Sequence, residues 1–322
     1  MKKILIVGAG GQIGSELVPH LRSIYGNNNV VAADISAEKC KVLAEAGPFE
    51  ELNALDGEKY TAIVKKYGID TIFNLVALLS ATGEKNPVLA WNINIGALTN
   101  SLNIAKDNDC AVFTPSSIGA FGKDTPKDKT PQDTLQRSNT TIYGGCKVTG
   151  ELLSDYYFNR FGVDTRSVRF PGLISYVTLP GGGTTDYAVE IYYDAIRRGA
   201  FTCNVKAGTY MDMMYMPDAL NAVVQLMEAD PSRLKHRNSF NIAAMSFEPG
   251  QIAAEIRKHL PDFKMDYQID PVKQAIADSW PNSMDDSCAR EEWGWKPEYN
   301  LQNMTVDMLV KVKEKFDKGL IK

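Results

Sequence analysis

Apolar and polar positions follow two periods along the first half of the chain. The N-terminal run "KILIVGA" is continuously apolar, the pattern of a strand covered on both faces. "GQIGSELVPHLRSIYG" then spaces its apolar residues as a helix does, with Pro19 inside it. "NVVAAD" predicts a second strand. "SAEKCKVLAEAG" predicts a helix opened by Ser36 and closed by Gly47. "FEELNALD" holds a short strand, "GEKYTAIVKKYG" a helix and "IDTIFNLVAL" a strand. "NPVLAWNINIGALTNSLNIAKDN" predicts a long helix with Pro87 near its start, where proline is tolerated. "CAVFTPSS" reads as a strand. After a loop around residues 119–138 a helix carries Tyr143 and Lys147, and "VDTRSVRFPG" is a sixth strand ending at Pro171.

Regular strand–helix alternation predicts an α/β fold: a Rossmann-type doubly wound parallel sheet with helices on both faces. Past Pro171 the alternation weakens into a loop and helix ("GGGTTDYAVEIYYDAIRRGAF"), an amphipathic helix ("MPDALNAVVQLMEA"), a strand ("NSFNIAA") and further helices. The expected division is a nucleotide-binding domain over 1–172, with part of 205–245 returning to it. A smaller, interleaved substrate-binding lobe covers 173–322.

The first strand runs directly into "VGAGGQIGSEL". Gly8, Gly11 and Gly14 fit GxxGxxG, with Gln12 and Ile13 between the last two. One glycine permits the tight turn, one lets backbone approach a pyrophosphate, and one lets helix pack on strand. The helix N-terminus adds N–H groups and a positive dipole end. Such a turn also forms with no ligand. Here Asp34 closes the second strand twenty residues after Gly14, where a carboxylate meets the adenosine ribose hydroxyls. It repels a 2′-phosphate, and no Arg follows at once, so NAD is expected rather than NADP. A solvated strand-end Asp is the plainer alternative.

Tyr143 and Lys147 are one helical turn apart and share a face. Ligands of a parallel sheet collect at the C-terminal strand ends, where "PSS" brings Ser117. Together these groups suit alcohol oxidation. Lys147 and a positive nicotinamide ring favour the Tyr143 phenolate, which acts as general base. Ser117 hydrogen-bonds the same oxygen, and Lys147 also holds the nicotinamide ribose.

Composition narrows the partners. The 322 residues are 44% hydrophobic and 23% charged with a formal net charge of −4, and no Lys/Arg run marks a nucleic-acid footprint. Cysteines at 40, 110, 146, 203 and 288 form no CxxC, which fits free thiols in a reducing compartment. His20, His236 and His259 are dispersed, so no metal site is expected. The chain starts without an h-region or a long apolar segment. The expectation is a cytoplasmic protein with no membrane partner.

These features resemble the short-chain dehydrogenase/reductase superfamily. Chain length and "RFPG" resemble its extended branch, which includes sugar-nucleotide epimerases. In that branch Leu55 and Asp56 match the adenine contact, Val76 and Ala77 within "NLVA" match the strand passing the cofactor ribose, and Pro171 closes the sixth strand. "NIGAL" (Asn94–Leu98) resembles Asn-Val-x-Gly-Thr, with Ala97 in place of the glycine. Six further strings, "PSSIGAFG", "TIYGGCK", "RFPGLIS", "PGGGTTDYAVEIYYDAI", "YMDMMYMPDA" and "DSWPNSMDDSCAREEWGW", together resemble the epimerase-like, metal-independent L-threonine 3-dehydrogenases.

This resemblance implies NAD-dependent oxidation of the L-threonine 3-hydroxyl to 2-amino-3-oxobutyrate, a β-keto acid prone to lose CO₂. It implies substrate contacts at Ser80, Ser117, Tyr143, Thr184 and Thr185, and a homodimer built on the helix after Pro87 and the Tyr143 helix. Thr184 and Thr185 also fit a helix-capping pattern, so both readings stand at this point.

The nearest rival is an NAD-dependent sugar-nucleotide epimerase or dehydratase, which needs room and basic groups for a nucleotide diphosphate. A non-catalytic NAD sensor has no need of Tyr143, Lys147 and Ser117 together. The ligands of zinc-dependent threonine dehydrogenases find no counterpart here.

Overall fold

The computed structural model describes residues 1–134, 140–179 and 181–321. The first half runs β1 (Ile4–Val7), α1 (Gln12–Tyr25), β2 (Val30–Asp34), α2 (Lys41–Ala46), β3 (Phe49–Glu51), α3 (Gly57–Tyr67), β4 (Thr71–Asn74), α4 (Ser80–Gly83), α5 (Pro87–Asn108), β5 (Ala111–Phe113), β6 (Ser116–Ser117), α6 (Ile142–Phe161), β7 (Thr165–Arg166) and β8 (Val168–Phe170). The second half continues with β9 (Gly172–Ile174), α7 (Tyr187–Arg198), β10 (Ala200–Cys203), β11 (Met211–Tyr215), α8 (Met216–Glu228), β12 (Phe240–Asn241), β13 (Met245–Phe247), α9 (Pro249–Arg257), β14 (Lys264–Tyr267), α10 (Pro271–Ser279), α11 (Ser287–Trp293) and α12 (Leu301–Asp317).

The central sheet has the order β3-β2-β1-β4-β5-β7, every pairing parallel. Side chains alternate across a strand, so each strand feeds two cores. Ile4, Ile6, Val30, Ala32, Phe73 and Phe113 join the core that α1 and α8 cover. Leu5, Val7, Val31, Ala33, Ile72 and Val112 join the core under α3 and α5. A third core gathers α7, α9, α12 and β11. Among the described residues no helix is long and apolar enough to cross a membrane.

Three elements differ from the sequence reading. "CAVFTPSS" breaks at Thr114–Pro115, because Pro115 has no N–H to offer a ladder, and β6 pairs with β8 beyond the central sheet. The sixth strand likewise breaks at Ser167 into β7 and β8. The second helix is shorter than its pattern. Ser36 Oγ accepts the Lys39 N–H at 3.4 Å in a turn, and regular helix begins only at Lys41. Pro19, by contrast, does not end α1, which continues to Tyr25.

Candidate active site

The glycine turn is as tight as its spacing requires. Gly8 has φ +87°, a conformation that favours glycine, and its N–H donates to Ala33 O at 2.9 Å. A Cβ on Gly14 would stand 2.4 Å from the Gly8 carbonyl oxygen and 2.7 Å from Ala9 Cα, so any larger residue there pushes α1 off β1. Gly11 starts α1 without a side-chain cap. Asp34 closes β2 with one carboxylate oxygen accepting the Gly10 N–H at 2.9 Å and the other accepting Ser36 N–H at 2.9 Å. The carboxylate is thereby aimed along the glycine turn.

Along this edge runs a trough made of two cavities that meet at Leu75 and Ala77. The first, of about 1160 Å³, is lined by Gly8, Gly11, Asp34, Leu55, Val76 and Ala97 among others. Leu55 packs over Gly96, where a Cβ would meet its Cδ2 at 2.8 Å. The second, of about 840 Å³, is lined by Gln12, Ile13, Ser80, Ser117, Tyr143, Lys147, Pro171, Thr184 and Thr185 among others. A dinucleotide needs an elongated groove with a glycine cradle at its middle and a carboxylate at one end, and these residues fit one.

Three residues expected to contact the cofactor, Asp56, Gly14 and Asn94, are not among the described residues lining either cavity. Asp56 caps α3 by accepting the Lys59 N–H at 3.0 Å. Gly14 is consumed in packing. Asn94 is buried and clamps the chain after β4, with Oδ1 accepting Leu78 N–H at 2.7 Å and Nδ2 donating to Leu78 O at 3.2 Å. It shapes the wall formed by Val76 and Ala77.

At the second cavity α6 starts at Thr141, whose side chain accepts the Gly144 N–H at 3.1 Å. Lys147 Nζ lies 5.2 Å from the centroid of the Tyr143 ring and donates to Pro115 O at 2.6 Å. Ser117 Oγ accepts the Gly119 N–H at 3.1 Å, and its own proton can therefore be donated into the cavity. A Cβ on Gly119 would touch both the Tyr143 ring and Ser117 Oγ at 3.3–3.4 Å, so the two residues share one wall.

One turn beyond Lys147, Glu151 forms a buried ion pair with Arg169 of β8. Arg169 Nη2 donates to Oε2 at 2.8 Å and Nε donates to Oε1 at 3.1 Å. Ser116 donates to the same carboxylate. This pair fixes the helix face that carries Tyr143 and Lys147 against the strand ends. Sequence reasoning missed it; the i+4 step from Lys147 was the available signal.

Opposite Tyr143, Ser80 is buried at the start of α4. Thr184 is 1% exposed, and its Oγ1 has no hydrogen-bond partner among the described residues. Neither Thr184 nor Thr185 caps α7. Asp186 holds the N-cap position, and its carboxylate accepts the N–H groups of Gly182 at 2.9 Å and Gly183 at 2.6 Å. Burial lifts the Asp186 carboxyl to about 6, against the pull of those two N–H groups. Thr185 instead packs on Gly172, where a Cβ would meet its Cγ2 at 2.7 Å. Asp186 and the largely buried Trp280 also line this cavity, and sequence reasoning assigned them no role.

Residues 4–243 match the NAD dependent epimerase/dehydratase family. A Staphylococcus haemolyticus protein described as an uncharacterized epimerase/dehydratase is 57% identical, covering 98% of this chain and 99% of the relative. The solved L-threonine dehydrogenase of Clostridium difficile is 57% identical with a TM-score of 0.96, covering 98% of both chains. A monomeric L-threonine 3-dehydrogenase from a metagenome is 41% identical with a TM-score of 0.92, covering 97% of this chain and 99% of that one.

Proposed function

The chain belongs to the NAD-dependent epimerase/dehydratase family of extended short-chain dehydrogenases/reductases, and on that premise we propose that it oxidises the 3-hydroxyl of L-threonine to 2-amino-3-oxobutyrate. NAD, when bound, supplies the hydride acceptor. Tyr143 removes the hydroxyl proton as general base, with the Lys147 ammonium 5.2 Å from its ring centroid. Ser117 donates a hydrogen bond to the reacting oxygen. The Thr184 hydroxyl, without a partner among the described residues, binds the substrate carboxylate, with Ser80 lining the same cavity. Asp34 and the Gly8–Gly11 turn bind the adenosine half, and Leu55, Val76, Ala77 and Pro171 shape the groove.

The charge of the second cavity carries the choice of substrate. Among its described lining residues Lys147 is the only cation, and Asp186 adds a negative charge above about pH 6. A small zwitterion suits that balance, because its ammonium gains a carboxylate neighbour. A nucleotide diphosphate meets repulsion there and finds no arginine. The test is NADH formation across a panel of L-threonine, other 3-hydroxy amino acids and UDP-sugars. Turnover confined to UDP-sugars would overturn the reading in favour of an epimerase or dehydratase.

The division of labour follows the cores. Met214, Met216, Phe240 and Ile242 return to the core of α1, which supports a nucleotide-binding unit of 1–172 plus part of 205–245, with a substrate lobe over 173–322. We also propose a homodimer through α5 and α6, whose outer faces expose Trp91, Leu152, Tyr156 and Phe161. One relative is described as monomeric, so the mass in solution decides this point.

A further inference from the structure

Outside the trough, three side chains of different chemistry converge where α11 meets the segment leading into β12. Cys288 and Glu292 stand one turn apart on α11, and His236 lies in that segment. One ligand atom from each lies within 4.8 Å of the other two. His236 Nδ1 is hydrogen-bonded to Glu292 Oε1. Glu292 Oε2 accepts the N–H groups of Lys235 at 2.5 Å and His236 at 3.1 Å, which holds the buried carboxylate in place. Across the ring, His236 Nε2 lies 3.5 Å from Asp133 Oδ2. None of these four residues lines either cavity of the trough.

We propose that Cys288 Sγ, His236 Nδ1 and Glu292 Oε1 form a binding site for a zinc-type divalent cation. The donor set is one thiolate, one imidazole and one carboxylate, which is the chemistry zinc selects over calcium or magnesium. Zinc bonds of about 2.0–2.3 Å place tetrahedral ligand atoms roughly 3.3–3.8 Å apart, so closure needs movements of about 1 Å. Asp133 stands where it can accept the Nε2 proton once the imidazole takes the tautomer that frees Nδ1 for the metal. On binding, the Nδ1–H···Oε1 hydrogen bond is given up as the imidazole proton moves to Nε2, the Zn–S bond replaces the S–H bond, the thiol proton leaves to solvent, and water completes the fourth position. No redox change is involved. The site tethers α11 to the chain before β12, and its effect is on stability. It lies apart from the Tyr143 chemistry.

His236 lies far from Cys288 and Glu292 in sequence, and the expectation of no metal site rested on such dispersed histidines and cysteines. The other four cysteines are buried elsewhere, so a thiolate–metal signal reports on Cys288.

The experiment uses the full chain, chelator-treated and then dialysed, titrated with Co²⁺ and separately with Zn²⁺. Expected are saturation at one equivalent, a near-UV thiolate-to-cobalt charge-transfer band, and a rise in Tm with Zn²⁺. Cys288→Ser should abolish the band and the Tm rise while its metal-free melt stays close to wild type. His236→Gln should weaken binding at least tenfold. Absence of saturable binding, a cobalt complex without the band, or equal affinity in Cys288→Ser would each overturn the proposal.

Discussion

The Lys147 ammonium lies 5.2 Å from the centroid of the Tyr143 ring while its proton is shared with the Pro115 carbonyl at 2.6 Å. The carbonyl fixes the cation in place, and the cation faces the ring of a residue one helical turn away. Pro115 in turn sits at the break between β5 and β6, which brings Ser117 to the same cavity. The proposed alcohol chemistry therefore depends on a strand interruption as much as on the spacing along α6.

Asp34 should set cofactor choice. Its carboxylate is held by the Gly10 and Ser36 N–H groups beside the glycine turn, where it can bind ribose hydroxyls and repel a 2′-phosphate. Asp34→Ala is expected to weaken NAD binding and narrow the preference over NADP, read by titrating both nucleotides. A wild-type preference for NADP would remove Asp34 from this role.

The Glu151–Arg169 pair should be a large stability determinant, because removing one partner strands a buried charge. Glu151→Ala is expected to cost about 3–5 kcal/mol in urea unfolding. Replacing both residues with Met should recover most of that loss. A single variant within 1 kcal/mol or so of wild type, roughly the value of a surface pair, would contradict the burial argument.

Stability should fall as pH rises, through Asp212. Burial pushes its carboxyl up to about 8, although the Met284 N–H donates to it at 2.6 Å. A folded pKa above the ordinary Asp value of ~3.9 favours the folded state below that value, and the benefit is lost as pH climbs from about 4 to about 8. Glu16, lifted to about 7, acts in the same direction. Between pH 5 and 8, wild type should lose at least about 1.4 kcal/mol more than Asp212→Asn, the worth of one pKa unit. Parallel stability curves for the two proteins would refute it.

How much of this was legible in the chain follows the range of each interaction. The GxxGxxG turn, Asp34 at the end of β2 and the Tyr143–Lys147 step are local patterns, and local patterns survive in sequence. Likewise the apolar runs of β1, β2 and β4 announced a sheet covered on both faces. The breaks in the fifth and sixth strands were missed although Pro115 marks the first, because the pairing of β6 with β8 outside the central sheet is long-range. Arg169 met Glu151, and His236 met Cys288, only through folding. Thr184 and Thr185 were ambiguous between capping and binding, and the structure gives the cap position to Asp186.

The central claim is that Tyr143 is the base that deprotonates the threonine hydroxyl. The direct measurement is the steady-state rate of NADH formation from L-threonine in wild type and Tyr143→Phe, with NAD binding measured alongside. The substitution removes one oxygen and leaves the ring beside Gly119. Turnover is expected to fall by ~10²–10⁴-fold, with NAD affinity and unfolding nearly unchanged. A variant that keeps most of the wild-type rate on L-threonine would show that the proton leaves by another group and that Tyr143 only packs the helix.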